Sequence, residues 1–445
     1  MPGRGRPFSK PGRTPAEGRQ TRVLLLVESS RSVGRGLLGG IAAYVRAHRN
    51  WSVFYQERGL GDGPPPWLAD WEGDGIIARV ENLRLARAIQ RLNLPTVELR
   101  GRSRLPGVVT FGSNQQSVAR MAAEHLLERG FRRFAFCGFG GADYSESRLR
   151  YFRDYLAARG YQVQSYSAPH NPETFATPAR EAEALVRPEA LGAWLAALPK
   201  PAGVFACNDV CGQQLLNICR QIGIPVPERV AVIGVDNDLT LCELCDPPLS
   251  SIVLDTCRIG FEAAAQLDRL IQGERPESLS TLIEPLGVQM RQSTDVVGVE
   301  DAQVASALRF IRLHACDGIQ VEAVARHAAW SCRTLERRFR ALIRRTVKEE
   351  IIRIRVERVK HLLVETEYPL AQIAEIAGFE HPEYLNVLFK RETGQRPGEY
   401  RRVWGQFGRN HPVTSKNSSR GQPRPRTPPC ESDLVWEQRI VRQVN

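Results

Sequence analysis

No stretch of the 445 residues is apolar over the ~20 positions that a bilayer-spanning helix needs. The basic N-terminus has neither the apolar core nor the small-residue cleavage site of a secretory signal, so the expectation is a chain that stays in the cytoplasm without a membrane partner. The GxxxxGK[ST] phosphate loop, the HExxH zinc pair and the GxSxG nucleophile elbow are all missing, which leaves no candidate catalytic residues. Cys207, Cys211, Cys242 and Cys245 fall at CxxxC and CxxC spacings, yet no histidine lies nearby to complete a zinc set. Buried reduced thiols are the expectation, with no metal and no cofactor.

What is present is unevenly charged. The net charge of +12 comes from the ends: residues 1–22 hold six basic residues against one acidic, residues 301–403 hold 19 against 14, and residues 404–445 hold seven against three. The middle, with 29 against 31, is close to neutral. Basic ends on a neutral body point to a polyanion, and nucleic acid is the commonest. Residues 1–22 and 404–445 read as largely disordered tails of Gly, Pro and Arg. Arg4-Gly5-Arg6-Pro7 matches the core of a minor-groove arm.

From Val23 onward, short β-rich runs alternate with helical ones: VLLLV, WSVFYQE, GIIARV, PTVEL, VVTFG, RFAFCGF, QVQSYS, GVFACND, VAVIGVD and SSIVL. Alternation of this kind predicts parallel sheets covered by helices, and ten strands suit two lobes better than one sheet. The crossings between lobes are expected near Gly112–Asn114 and near Asp236–Pro248. The fold class is thus a bilobed α/β domain over residues 23–295, followed by an all-α domain over 303–403 with its own core.

Within the helical region one unit occurs twice, "VEAVARHAAWSCRTLERRF" and "LAQIAEIAGFEHPEYLNVLF". Val324, Ala325, Trp330, Leu335 and Phe339 of the first match Ile373, Ala374, Phe379, Leu385 and Phe389 of the second. Each copy reads as helix, tight turn, helix, with Gly378 making the turn that Ala329 must make less comfortably. The helix between them, about Val347 to Thr366, would be about 30 Å long, close to the ~34 Å between successive major-groove faces. Two reading helices on one strut can then enter consecutive grooves.

The second copy and its flank, "GFEHPEYLNVLFKRETGQRPGEYRR", resemble the AraC/XylS-type DNA-binding domain. The resemblance implies that Arg333, Glu336 and Arg337 face bases from the first reading helix. On the second, it implies that Pro382, Glu383 and Val387 do so, with Asn386 beside them. The arginines suit guanine edges, whereas Val387 offers apolar contact only. The segment "FACNDVCGQQLLNICRQIGIPVPERVAVIGVDNDLTLCELCDPPLSSI" resembles the sensor domain of LacI-type regulators and periplasmic sugar-binding proteins. That likeness implies that Arg148, Asn208, Asp209 and Asp236 reach a ligand cleft, although Asn208 or Asp209 could equally cap a helix and Asp236 form a turn.

The pairing of the two domains, with "WSVFYQE", "GDGIIARV", "ERGFRRFAFCGF" and "FIRLHACDGIQVE", resembles the family of xylose operon regulators. Gly112-Ser113-Asn114 stands where that family has Thr-Asp-Asn. The resemblance implies a transcription regulator with operator DNA, a sugar such as xylose, RNA polymerase and a second copy of the chain as partners. Two other readings are open. Gly34-x-Gly36-x-x-Gly39 followed by Glu57 has the outline of a dinucleotide loop and would make the chain an NAD-binding oxidoreductase, though six residues separate strand from first glycine. An architectural DNA-binding protein with a vestigial cleft is the other.

Overall fold

The structure, a computed structural model, describes residues 20–48, 51–100, 105–168, 188–295 and 301–404. Arg4 to Pro7 and the tail from 405 lie outside these residues. Two six-stranded sheets form two lobes. Lobe 1 is built on β1 (Thr21–Leu26), β2 (Trp51–Tyr55), β3 (Gly75–Ala78), β4 (Thr96–Glu98), β5 (Val109–Ser113) and β11 (Ser280–Ile283), in the order β11-β5-β4-β3-β1-β2. Lobe 2 is built on β6 (Phe134–Phe139), β7 (Val163–Ala168), β8 (Ala202–Ala206), β9 (Val230–Val235), β10 (Ser250–Val253) and β12 (Gly287–Gln289), in the order β12-β10-β9-β8-β6-β7. Every pairing is parallel except β10 with β12. The central strands are buried on both faces, which is why they read as continuous apolar runs.

Helices cover the sheets: α1 (Ser32–His48), α2 (Leu83–Leu92), α3 (Gln115–Glu128), α4 (Asp143–Ala157), α5 (Pro188–Ala197), α6 (Asp209–Gln221), α7 (Leu239–Leu244) and α8 (Thr256–Ile271). Leu37, Ile41 and Tyr44 of α1 and Ile259, Ala263 and Leu267 of α8 fill one face of lobe 1, while Leu85, Ala86 and Ile89 of α2 fill the other. The first crossing, at Ser113–Gln115, lies where expected. The second comes later than expected, between β10 and α8, and a third lies between β11 and β12. β11 and β12 escaped the sequence reading because they are edge strands of four and three residues that bury almost nothing.

The glycines with the outline of a dinucleotide loop all lie inside α1. A Cβ at Gly36 would come 2.0 Å from the Thr256 hydroxyl, and one at Gly40 would come 1.9 Å from the Cys257 carbonyl. Across the contact, a Cβ on Gly260 would meet the Leu37 carbonyl at 2.1 Å. Gly36 and Gly40 thus allow the close approach of α1 and α8, a Cβ at Gly34 would meet the Glu28 carbonyl at 2.0 Å, and glycines inside a helix make no phosphate turn, so the NAD-binding reading is dropped. Cys207, Cys211, Cys242 and Cys245 are buried free thiols, and no cluster of three or more metal-ligating side chains occurs among the described residues.

The helical region comprises α9 (Ala302–His314), α10 (Val321–His327), α11 (Cys332–Ile343), α12 (Val347–Glu365), α13 (Leu370–Ile376), α14 (Pro382–Thr393) and α15 (Pro397–Trp404). The chain divides into two compact units at Arg355/Val356. In the first unit, Val304, Leu308, Ile311, Leu335 and Phe339 belong to the same apolar cluster as the core of lobe 2. The first helix-turn-helix copy is therefore not a separate body with its own core, as the sequence suggested. Arg312 donates to buried Glu228 at 2.5 Å, and Arg353 makes a bidentate pair with Asp295 at 2.8 and 2.9 Å. In the second unit, Ile373, Leu385, Leu388 and Phe389 form the equivalent buried face, and Arg401 donates to the carbonyls of Leu363 and Tyr368.

The two turns differ as the sequence predicts: Gly378 has φ 74° and Ala329 has φ 53°. An L-residue there costs about 1–2 kcal/mol, partly offset because glycine gains unfolded-state entropy. Ala329→Gly should raise stability by up to about 1 kcal/mol, read as a later thermal midpoint. An earlier midpoint would show that the methyl group contributes packing that outweighs the strain.

His125 of α3 is buried, with Nε2 2.8 Å from the Thr294 hydroxyl, and desolvation, helped by the Arg129 charge, pushes its pKa down to about 3. The unfolded chain takes up that proton first, near pH 6.5, so the group's stabilisation is complete above that pH and is lost as pH falls toward 3. Between pH 7 and pH 5, His125→Gln should therefore lose about 2 kcal/mol less stability than the parent chain. Equal losses in thermal denaturation at the two pH values would mean that the ring is not held neutral.

Candidate effector cleft and nucleic-acid interface

Parallel strands deliver their following loops to one edge, and here the C-terminal edges of both sheets converge on one cleft of about 460 Å³, a size suited to a small molecule. The four residues expected there, Arg148, Asn208, Asp209 and Asp236, all line it.

Their side chains differ in how far the protein already engages them. Arg148, on α4, is buried; its Nε donates to Gln115 at 2.7 Å, a terminal nitrogen donates to the Cys207 carbonyl, and its guanidinium lies 5.3 Å from the Tyr144 ring centre. Asn208 caps α6, accepting from the Cys211 N–H at 2.9 Å, and donates to the Tyr144 hydroxyl at 3.3 Å. Asp209 is fully enclosed: one oxygen accepts from Ser251 at 2.6 Å and the other from the Asp238 N–H at 2.8 Å. Burial, together with the nearby charge of Asp236, raises its pKa.

Asp236 is less enclosed, at the tip of a turn with φ 106° that follows β9. Burial also raises its pKa, against the pull of Arg148, Arg79 and Arg31. So the cap and the turn weighed for Asn208 and Asp236 both exist, and both residues face the cleft as well.

Sequence reasoning missed the lobe 1 wall. Arg31, Arg79 and Arg100 line it, contributed by the segments after β1, β3 and β4. Behind them, Glu28 pairs with Arg79, and Glu81 takes Arg79 at 3.3 Å and Arg100 at 2.8 Å. Glu98 accepts from the backbone N–H groups of Val80 and Arg100, and burial pushes its pKa up to about 7. The signal was present: in "GIIAR" and "PTVELR" an arginine follows an apolar strand run directly. Arg35 of α1 reaches Asp238 of lobe 2 at 3.6 Å, an ion pair across the cleft.

On α11, Ser331 caps the first turn and Leu335, Phe339 and Ile343 face inward, leaving Arg333 and Arg337 exposed. Glu336 is only partly exposed, and one of its carboxylate oxygens is shielded without a hydrogen-bond partner. Arg338 is engaged by Asp301 at 2.5 Å and lies over the Trp330 ring. On α14, Pro382 begins the helix, and Glu383, Asn386 and Val387 are exposed, Val387 by 69%. Tyr384, 48% exposed beside them, adds a hydroxyl and an aromatic face that the sequence reading passed over.

Residues 123–294 match the periplasmic binding protein-like domain family, and residues 324–403 match a helix-turn-helix domain family. The chain is 30% identical to the xylose operon regulatory protein of Escherichia coli (strain K12) over 86% of its own length and 97% of that protein. The Haemophilus influenzae protein of the same name is 28% identical over 85% and 98%. A solved structure described as the xylose-binding transcription activator xylR superposes with a TM-score of 0.71, at 28% identity, over 87% of this chain and all of that one.

These findings correct the AraC/XylS assignment: the helical part matches a helix-turn-helix domain as such, residues 123–294 match a periplasmic-binding-type domain, and the relatives that span the chain are xylose regulators. They also make the chain a sequence-specific DNA-binding transcription regulator and not an enzyme. With that identity spread over nearly the whole of its relative, the chain belongs to the xylose operon regulatory protein family.

Proposed function

We propose that the cleft between the lobes takes a sugar-like effector and that its occupancy controls operator binding by α11 and α14. The observation that supports this most is the convergence of Asp236 and Arg148 from lobe 2 with three arginines from lobe 1 on one cavity. A carboxylate accepts from ligand hydroxyls and a guanidinium donates to them, which is the chemistry that fixes a hydroxyl pattern. In this reading residues 23–295 sense and residues 303–403 bind DNA, with Arg333, Glu336, Arg337, Pro382, Glu383, Asn386 and Val387 as the base-facing set. The regulator works in the cytoplasm as a homodimer whose two copies meet paired operator half-sites, and RNA polymerase is its further partner. No helix among the described residues is long and apolar enough to cross a membrane.

Asp236→Asn changes the charge of the site but not its shape. That variant should bind the effector found by thermal-shift screening about ten- to a hundredfold more weakly, and should bind operator DNA normally without it. Unchanged effector affinity would remove Asp236 from the site.

The DNA side is tested separately. Arg337→Ala should cost about 1–3 kcal/mol on the operator and relax preference at one base pair, with binding to scrambled DNA almost unaltered. Equal weakening on both DNAs would assign Arg337 to a phosphate instead.

A further inference from the structure

The two walls of the cleft differ in their charged groups: lobe 1 brings only cations and lobe 2 brings both signs. On lobe 1 the charged lining residues are Arg31, Arg79 and Arg100, with no Asp or Glu among the lining from that lobe. The carboxylates that pair with Arg79 and Arg100, Glu28 and Glu81, are 3% and 4% exposed and sit behind them. Asn114, also on this wall, has its side-chain oxygen engaged in capping α3 through the Gln116 and Ser117 N–H groups, at 3.1 and 3.3 Å, and donates to Glu284 at 2.7 Å. On lobe 2 the lining is mixed, with Asp143, Asp209, Asp236 and Asp238 beside Arg148 and Arg150.

A guanidinium has five N–H donors and no acceptor. On a wall whose charged groups are all guanidinium donors, a sugar hydroxyl can offer its oxygen and can reach hydroxyl acceptors such as Ser32, Ser113 and Thr256, but finds no carboxylate to take its proton. A carboxylate or phosphate offers only acceptor oxygens, and guanidinium forks grip such oxygens in pairs. Glu81 bridges Arg79 and Arg100, which holds those two side chains to one place without placing its own charge on the cleft surface. Hydroxyls suit the opposite wall, where aspartate oxygens accept their protons.

We infer that the effector is a polyhydroxylated anion, a sugar acid or a sugar phosphate, with its anionic group on Arg31, Arg79 and Arg100 and its hydroxyls on the lobe 2 aspartates. This rests on the cleft being the effector site, and it replaces a neutral sugar by an acidic one as the ligand class.

The test measures binding of the full chain to D-xylose, D-xylonate, D-gluconate, D-ribose 5-phosphate and inorganic phosphate by calorimetry and thermal shift. At least one of the two sugar acids or the sugar phosphate should bind about tenfold or more tightly than D-xylose, with an affinity that falls as salt is raised. Xylonate and gluconate against ribose 5-phosphate separate the carboxylate from the phosphate source. Arg31→Gln and Arg100→Gln, each checked for an unaltered melting profile without ligand, should reduce the preference for the anion over D-xylose by about tenfold.

D-Xylose binding as tightly as the anions would overturn the inference and leave the sensor reading standing. Inorganic phosphate binding as well as the sugar derivatives would overturn it too, since the hydroxyls would then contribute nothing. If none of the five bound to a folded chain that still recognised its operator, the inference would fall together with the reading of this cleft as a sugar-type sensor.

Discussion

A carboxylate taken out of water must bring its hydrogen-bond donors with it, and the enclosure of Asp209 organises much of lobe 2 around that requirement. Its oxygens take the Ser251 hydroxyl and the Asp238 N–H. Ser251 in turn accepts from the Asn237 N–H at 3.0 Å, and the Asn237 side chain accepts from Arg291 at 3.0 Å. Arg291 is itself buried; the Ser250 hydroxyl donates to its carbonyl and accepts from its N–H, and also accepts from the Thr294 hydroxyl at 2.7 Å. The next residue, Asp295, holds Arg353 of α12. One chain of satisfied polar groups therefore runs from the cleft to α12, the helix that follows α11.

That continuity gives physical content to the coupling between effector and operator. Coupling requires an element whose arrangement both sites bias. The β9 end and the Asn237 turn touch the cleft; the Arg353–Asp295 and Arg312–Glu228 pairs touch the helical region; Arg291 and Thr294 lie between. Buried pairs of this kind are costly to break singly, because the remaining charge loses its partner in a poorly solvated place. These pairs are the contacts through which a change in the turn at Asp236 would reach the start of α12.

Much of this was legible in the sequence, and what was not has identifiable causes. Central strands such as "VAVIGVD" were readable because burial on both faces leaves an unbroken apolar run; β11 and β12 were not, because edge position removes that signal. The helix-turn-helix duplication was readable because five apolar positions recur at the same spacing and a glycine stands at one of the two turns. "GRGLLGG" was ambiguous because glycine serves equally for a phosphate turn and for two helices in close contact, and only the six residues before it argued against the first. The cleft aspartates were found through a resemblance. The cleft arginines stood in plain view at strand ends, but an arginine after a strand is common, and only the convergence of three gives it meaning. The sharing of an apolar cluster between lobe 2 and α9–α11 left no mark in the sequence, since an amphipathic helix has the same pattern whichever partner covers it.

Asp236 shows why the site and the junction cannot be separated. With φ 106° at Asp236 and φ 49° at Asn237, two consecutive L-residues occupy backbone regions that cost about 1–3 kcal/mol each. Glycines would relieve that cost. The strain persists because the turn is fixed at several points: the Asp236 N–H donates to the Ile252 carbonyl at 3.0 Å, the Asn237 N–H to Ser251, and Arg291 to the Asn237 side chain. A glycine at 236 would keep the backbone path and lose the carboxylate; a glycine at 237 would keep the turn and lose the acceptor for Arg291. The strained turn thus holds two side chains with different partners, Asp236 at the cleft and Asn237 on Arg291, which leads toward α12.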